Sequence, residues 1–277
     1  MSSSVRWSIL LLIGSAMAFA QKPAFEVASI KPAPPPDGHG MRMSHTGGPG
    51  TSDPGRWSVE NWNLLSLVTS AYGLEWYQVT VPAWAIELRF NIEAKVPPGA
   101  TKEDLKVMIQ GLLEERFKLE FHREKKEMAT YDLVVAKNGP KLKDAVEEPP
   151  PPPDAEKPRP PSGPLKLGAD GYPDLPTNFS MAWLKDRARW QDPKGTMQSL
   201  AAMLSGQLGK PVSDLTGLKG KYDMTLFWAA EARGPEAEPG PTIFSALQDQ
   251  LGLKLEQKKA MVEMLIVDKA EKVPTEN

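Results

Sequence analysis

Two hydrophobic rhythms alternate along the chain, one of period two and one of period near 3.6. Arg56–Glu60 reads as a short strand. Asn63 can then cap a helix that carries Leu64, Leu67, Val68 and Ala71 on one face and stops at Gly73. Arg89–Lys95 alternates again, with Phe90, Ile92 and Ala94 on one side. Thr101 with Asp104 forms a capping box in which Asp replaces the usual Glu or Gln, and the helix it opens aligns Leu105, Met108, Ile109, Leu112 and Leu113. Leu119–Phe121 and Tyr131–Ala136 follow as a hairpin. The pattern then recurs. One helix carries Met197, Leu200, Ala201 and Leu204, and Tyr222–Phe227 is a strand. A second helix, capped by Thr242 and ended by Gly252, carries Ile243, Leu247 and Leu251. Leu253–Glu256 with Val262–Val267 make a second hairpin. Phe25–Ile30 is a further strand, expected at an edge of the first sheet.

The recurrence is visible in residue identities as well as in rhythm. Arg56-Trp57 is matched by Arg189-Trp190 and Ser66-Leu67 by Ser199-Leu200, both 133 residues on. Phe90-Asn91-Ile92 is matched by Tyr222-Asp223-Met224, and Lys118-Leu119-Glu120 by Lys254-Leu255-Glu256. An ordered set at nearly constant offset implies a domain duplication, too long in period for a solenoid. The expected fold is α+β: two related β-α-β-α-β-β halves, each with helices packed on a small antiparallel sheet. The halves are expected at 21–137 and 179–270, joined by a linker at 138–178 and followed by a frayed tail at 271–277. The linker holds Pro149–Pro153 in succession, and consecutive prolines fix φ and remove amide donors. Pro32–Gly55 and Glu231–Gly240 also read as unpacked.

The first twenty residues have the form of a secretory signal. Arg6 supplies the positive charge, an apolar run follows, and Ala18 and Ala20 offer the small residues that a signal peptidase reads, leaving Gln21 as the mature N-terminus. That run is too short for the roughly 20 residues of a membrane span, and no later segment is long and apolar enough. The expected location is therefore periplasmic or extracellular, with no membrane span in the mature chain. The chain has no cysteine, so disulfides and thiol chemistry are excluded. Without Arg6 the charge is about −3, with no basic patch of the kind nucleic acid requires. Arg123, Lys125 and Lys126 come nearest, but Glu124 and Glu127 interrupt them, which points to a solvated strand or turn.

Candidate chemistry is sparse. His39, His45 and His122 show no zinc-ligand spacing, so neither metal nor cofactor is expected. There is no nucleophile elbow. Gly47–Thr51 is rich in glycine but lacks the Lys-Ser/Thr of a phosphate loop, and reads as a flexible loop. Glu114-Glu115 and Glu147-Glu148 are adjacent carboxylates. Neighbours on a helix diverge by about 100°, so Glu114 and Glu115 cannot flank one bond and read as a solvated face. The aromatics Trp76, Tyr77 and Trp84 stand out. They lie between the first helix and its strand, whereas the corresponding segment Val212–Lys221 has no aromatic residue. Tryptophan and tyrosine are over-used at recognition surfaces. These three are the candidate ligand-binding residues, with core packing the competing role, above all for Trp84.

Several motifs carry a resemblance: Phe25–Pro32, Pro82-Ala83-Trp84, Phe90-Asn91-Ile92, Leu113–Lys118, Tyr131–Lys137, Asn138–Leu142, Asp214–Asp223 and Leu251–Glu256. Together they are similar to an exported protein family of unknown function, abundant in soil bacteria, some members of which are fused to membrane metallopeptidase sensors of the antibiotic-response type. The resemblance implies export but no chemistry, since the His-Glu-x-x-His of such a peptidase is absent. The function expected is a non-enzymatic envelope or extracellular binding module whose partner is an envelope protein or polymer. The alternative is a hydrolase of a cell-envelope polymer that uses carboxylates brought together between the halves.

Overall fold

The computed structural model describes residues 22–34, 43–146, 166–175, 180–184, 186–229 and 240–275. The signal segment, with Ala18, Ala20 and Gln21, the proline run Pro149–Pro153 and His39 lie outside them. In chain order the strands and helices are β1 (Val27–Pro32), β2 (Ser44–Gly47), β3 (Arg56–Asn63), α1 (Leu64–Tyr72), β4 (Val79–Thr80), α2 (Trp84–Glu87), β5 (Arg89–Lys95), α3 (Lys102–Arg116) and β6 (Glu120–Val135). There follow β7 (Lys143–Asp144), β8 (Met181–Leu184), β9 (Arg187–Gly195), α4 (Met197–Leu208), β10 (Val212–Asp214), β11 (Tyr222–Ala229), α5 (Ile243–Leu251) and β12 (Leu253–Lys269). The class is α+β with small sheets, and none of the described helices is long and apolar enough to cross a membrane.

The helices begin and end where local chemistry dictates. The side chains of Asn63, Thr101, Thr196 and Thr242 accept from backbone amides three residues on, which satisfies donors that a helix leaves orphaned. Gly73, Gly209 and Gly252 close α1, α4 and α5 in the left-handed region.

The described chain divides into two compact units. The first comprises 22–74, 81–121 and 267–275; the second comprises 75–80 and 122–266. The stretch 138–178 thus lies within the range of the second unit. In the first, an antiparallel sheet runs β1-β5-β3-β2, with β1 on its edge as expected. Its inward residues Trp57, Val59, Phe90, Ile92 and Ala94 are buried together with Leu64, Leu67 and Val68 of α1 and Met108, Ile109, Leu112 and Leu113 of α3. In the second unit, an antiparallel sheet runs β7-β11-β9-β8. It shares one core with α4 and α5, centred on Trp190, Met224, Leu226, Leu200 and Leu247. The two sheets have the same order and equivalent registers: Arg56 faces Lys95 in one and Arg189 faces Phe227 in the other.

Neither expected hairpin forms. β6 and β12 are single strands of 16 and 17 residues that pair with each other in a sheet ordered β10-β6-β12-β4. Ion pairs Lys259–Glu127 and Arg123–Glu263 cross between them in antiparallel sense. The physical reason can be read in the residues: nothing between Glu124 and Ala129, or between Gln257 and Met261, favours a turn. The C-terminal half of β6 enters the second unit's core through Leu133, which is fully buried and gains roughly 1.5–3 kcal/mol by leaving water. Between the buried ends, residues 122–127 and 256–261 are exposed, so Arg123, Lys125 and Lys126 stand on a solvated strand as expected.

Three stretches expected to be unpacked are folded in part. Gly47 and Gly48 adopt φ of 75° and 93°, and the Gly48 amide donates to Asp53 and Arg56 carbonyls, forming a tight turn between β2 and β3 that buries Gly48 and Pro49. A Cβ on Gly47 would lie 2.1 Å from the Arg56 carbonyl, so the glycine-rich run is a steric requirement of this turn. At the start of the expected linker, Lys143–Asp144 add β7 to β11. Near its end, Leu167 bridges to Pro173 and Tyr172 is buried against Phe227. Beyond β12, the Glu271 and Thr275 amides donate to the Phe117 and Arg116 carbonyls, so the tail is tied to the C-terminus of α3 rather than frayed.

Candidate functional site

The segment Glu75–Thr80 reaches the second unit as a short clip. Gln78 caps back onto the Glu75 amide around a single 3-10 turn, Trp76–Gln78. β4 then pairs in parallel with Leu265 and Ile266 of β12, and the Gln78 side-chain amide donates to the Glu263 carbonyl at 3.2 Å. These bonds hold Trp76 and Tyr77 against the C-terminal end of α4.

Trp76 donates its indole N–H to the Gly206 carbonyl at 3.2 Å, and its ring edge lies over Gly209. A Cβ at Gly209 would stand 2.8 Å from two indole carbons. Gly209 is therefore required twice, for its φ of 61° and for the room it leaves the ring. Even so seated, Trp76 remains 52% exposed. The Tyr77 ring meets it edge-on at 5.9 Å. The Tyr77 phenol is hydrogen-bonded to Ser205, a buried hydroxyl that also accepts from the Val212 amide at 2.9 Å. Burial raises the proton affinity of Tyr77 above the usual tyrosine range, the Ser205 bond works against this, and the nearby Glu75 charge adds to it. Tyr77 is thus an uncharged anchor at neutral pH.

Three residues that sequence reasoning did not select extend the surface. Lys210 follows Gly209, and its ammonium lies 5.8 Å from the Tyr131 ring centre. Tyr131 meets Phe244 edge-on at 5.6 Å, and Phe244 is 38% exposed. No periodicity links residues 76, 131, 210 and 244; only the fold gathers them. The result is an aromatic surface with one cation, carried by α4, α5 and β6.

Trp84 belongs to the first unit, where it opens α2 and is half buried. Asn63 holds that turn by donating to the Ile86 carbonyl. The three aromatic residues selected from the sequence are therefore divided, two in one unit and one in the other.

The remaining candidates have structural partners. His45 is exposed beside the rings of Trp57 and Trp62, and His122 is exposed on β6. Among the described residues no group of three or more His, Asp or Glu is placed to hold a metal ion. Glu114 pairs with Lys22 at 3.0 Å. Glu147 and Glu148 lie outside the described residues. Two carboxyls lie below the usual range. Asp104 does so because it accepts the backbone and hydroxyl bonds of its capping box. For Asp170, burial acts to raise the value, but the Tyr172 amide and the Arg189 guanidinium more than offset it.

No curated protein matches the chain, and no solved structure does. The family model described as "Protein of unknown function (DUF3738)" matches residues 65–270, from the first helix to the end of β12. That span is most of the chain and takes in the clip and the whole aromatic surface, so the chain belongs to the DUF3738 family of proteins of unknown function.

Proposed function

We propose that this protein is an exported, non-enzymatic binding module that engages an envelope partner, protein or polymer, through the aromatic surface at the end of α4. The signal-like N-terminus supports export. The observation that carries the binding reading is Trp76, a ring 52% exposed and yet fixed by its N–H bond to Gly206 and its seat on Gly209. A large apolar side chain immobilised in advance loses little further entropy when a partner covers it, which is why pinned tryptophans dominate binding energy. Phe244 and Lys210 add apolar area and a charge that favours an anionic group on the partner.

The experiment is co-sedimentation of the mature protein with two separate envelope preparations, insoluble wall polymer and membrane vesicles. One of them is expected to retain the protein. Trp76→Ala should weaken retention at least tenfold, in keeping with losses of about 2 kcal/mol or more at such positions. Trp183→Ala, at a comparably exposed ring set edge-on against Trp228, should leave retention unchanged. Retention that survives Trp76→Ala would overturn the assignment of the surface.

A further inference from the structure

The two four-stranded sheets differ in what covers their outer faces. In the second unit, residues 166–175 fold over the face opposite the helices. Tyr172 lies 4.7 Å from the Phe227 ring with the Arg187 guanidinium 5.0 Å from its own, and Asp170 pairs with Arg189. This strap is turned by Gly171 and bridged from Leu167 to Pro173, and it leaves Tyr172 only 5% exposed. In the first unit, the equivalent pair Arg56 and Lys95 points outward at the same register, beside the inward pair Trp57 and Ala94. There the face is an open groove of about 340 Å³ lined by Val27, Ser29, Gly55, Arg56, Glu93 and Lys95. Val27 is 61% exposed, and a Cβ on Gly55 would meet nothing within 4 Å.

We propose that this open face is a docking surface for an extended segment of a partner protein carrying a carboxylate and, two residues later, an aromatic ring. The chain's own strap shows what such a face accepts. The carboxylate takes Arg56 as Asp170 takes Arg189, and the ring lies on Val27 and the aliphatic stem of Lys95. Arg56 is paired with Glu93 at 2.7 Å and Lys95 with Glu26 at 2.6 Å, but these pairs are well exposed and exchange partners at little cost. The inference is independent of the Trp76 surface, which lies in the other unit.

The test uses the mature full chain and a fluorescent synthetic peptide with the sequence of Lys166–Asp174, read by anisotropy. The seat of that sequence in the second unit is already filled by a tethered copy at an effective concentration on the order of millimolar, so added peptide meets the open face. Saturable binding is expected, weakened at least tenfold by Arg56→Glu or Val27→Lys in the protein and by Asp170→Asn or Tyr172→Ala in the peptide. Both protein positions are exposed, and an unchanged near-ultraviolet circular dichroism spectrum verifies the fold. Three results would overturn the proposal. One is no saturable binding, or binding indifferent to Arg56→Glu. Another is binding abolished by Arg189→Glu alone, which means exchange into the strap's own seat. The last is a peptide-free dimer in sedimentation velocity that Arg56→Glu dissolves, which makes the occupant a second copy.

Discussion

Replacing Gly252 by alanine tests whether the start of the proline-rich stretch is packed, and Gly73→Ala supplies the control. Both glycines end a helix in the left-handed region, at φ of 65° and 63°. An L-residue there costs about 1–2 kcal/mol at either position. Beyond that the sites differ. A Cβ on Gly73 meets nothing within 4 Å. A Cβ on Gly252 would stand 2.3 Å from the Gly139 carbonyl oxygen and 2.8 Å from the Lys141 amide nitrogen, both of them backbone. That backbone is held in place: the Ala136 amide donates to the Gly252 carbonyl, and the Lys141 amide to Leu251, each at 2.9 Å. Relieving the overlap adds roughly 1–3 kcal/mol. The expected total is about 2–5 kcal/mol for Gly252→Ala against about 1–2 kcal/mol for Gly73→Ala. At about 2–4 °C per kcal/mol for chains of this size, calorimetry resolves the two. Equal losses of stability would refute the docking of residues 139–141 on the end of α5.

Two further outcomes follow from the same structure. A protease cut between residues 147 and 165 should leave both fragments in one peak on size exclusion, separating only in denaturant. The N-terminal fragment supplies residues 75–80 and 122–146 to the second unit, and the C-terminal fragment supplies 267–275 to the first. Acidification should release the strap. Because the folded carboxyl of Asp170 lies below the usual range, its contribution is present above the ordinary carboxylate pKa and disappears as pH falls through the folded value. Hydrogen exchange of residues 166–175 followed against pH should show this, and Arg189→Gln should flatten the response.

Much of the fold was legible because much of it is local. The caps at Asn63, Thr101 and Thr242 are bonds across three residues, and Gly73 and Gly252 stop helices by their own backbone freedom. Whether the chain turns or runs on after Phe121 depends on a partner more than 130 residues away, so apolar segments flanking a charged stretch read as a hairpin. The absence of turn-forming residues in His122–Ala129 was the available sign that it runs on. In the proline-rich stretch, composition concealed Asp170 and Tyr172, two side chains suited to pair and pack. At the candidate site, Trp76 and Tyr77 were visible as aromatics in a connection. Gly209, Lys210, Tyr131 and Phe244 become relevant only through contacts made in three dimensions.

Hydroxyl-radical footprinting of the mature protein, with and without the envelope preparation that retains it, reads directly which side chains a partner covers. Tryptophan and phenylalanine oxidise in proportion to exposure, and mass spectrometry assigns each position. Strong protection is predicted at Trp76 and Phe244, with Trp183 oxidised equally in both samples. Protection confined to other residues, with Trp76 oxidised at an unchanged rate, would contradict the account.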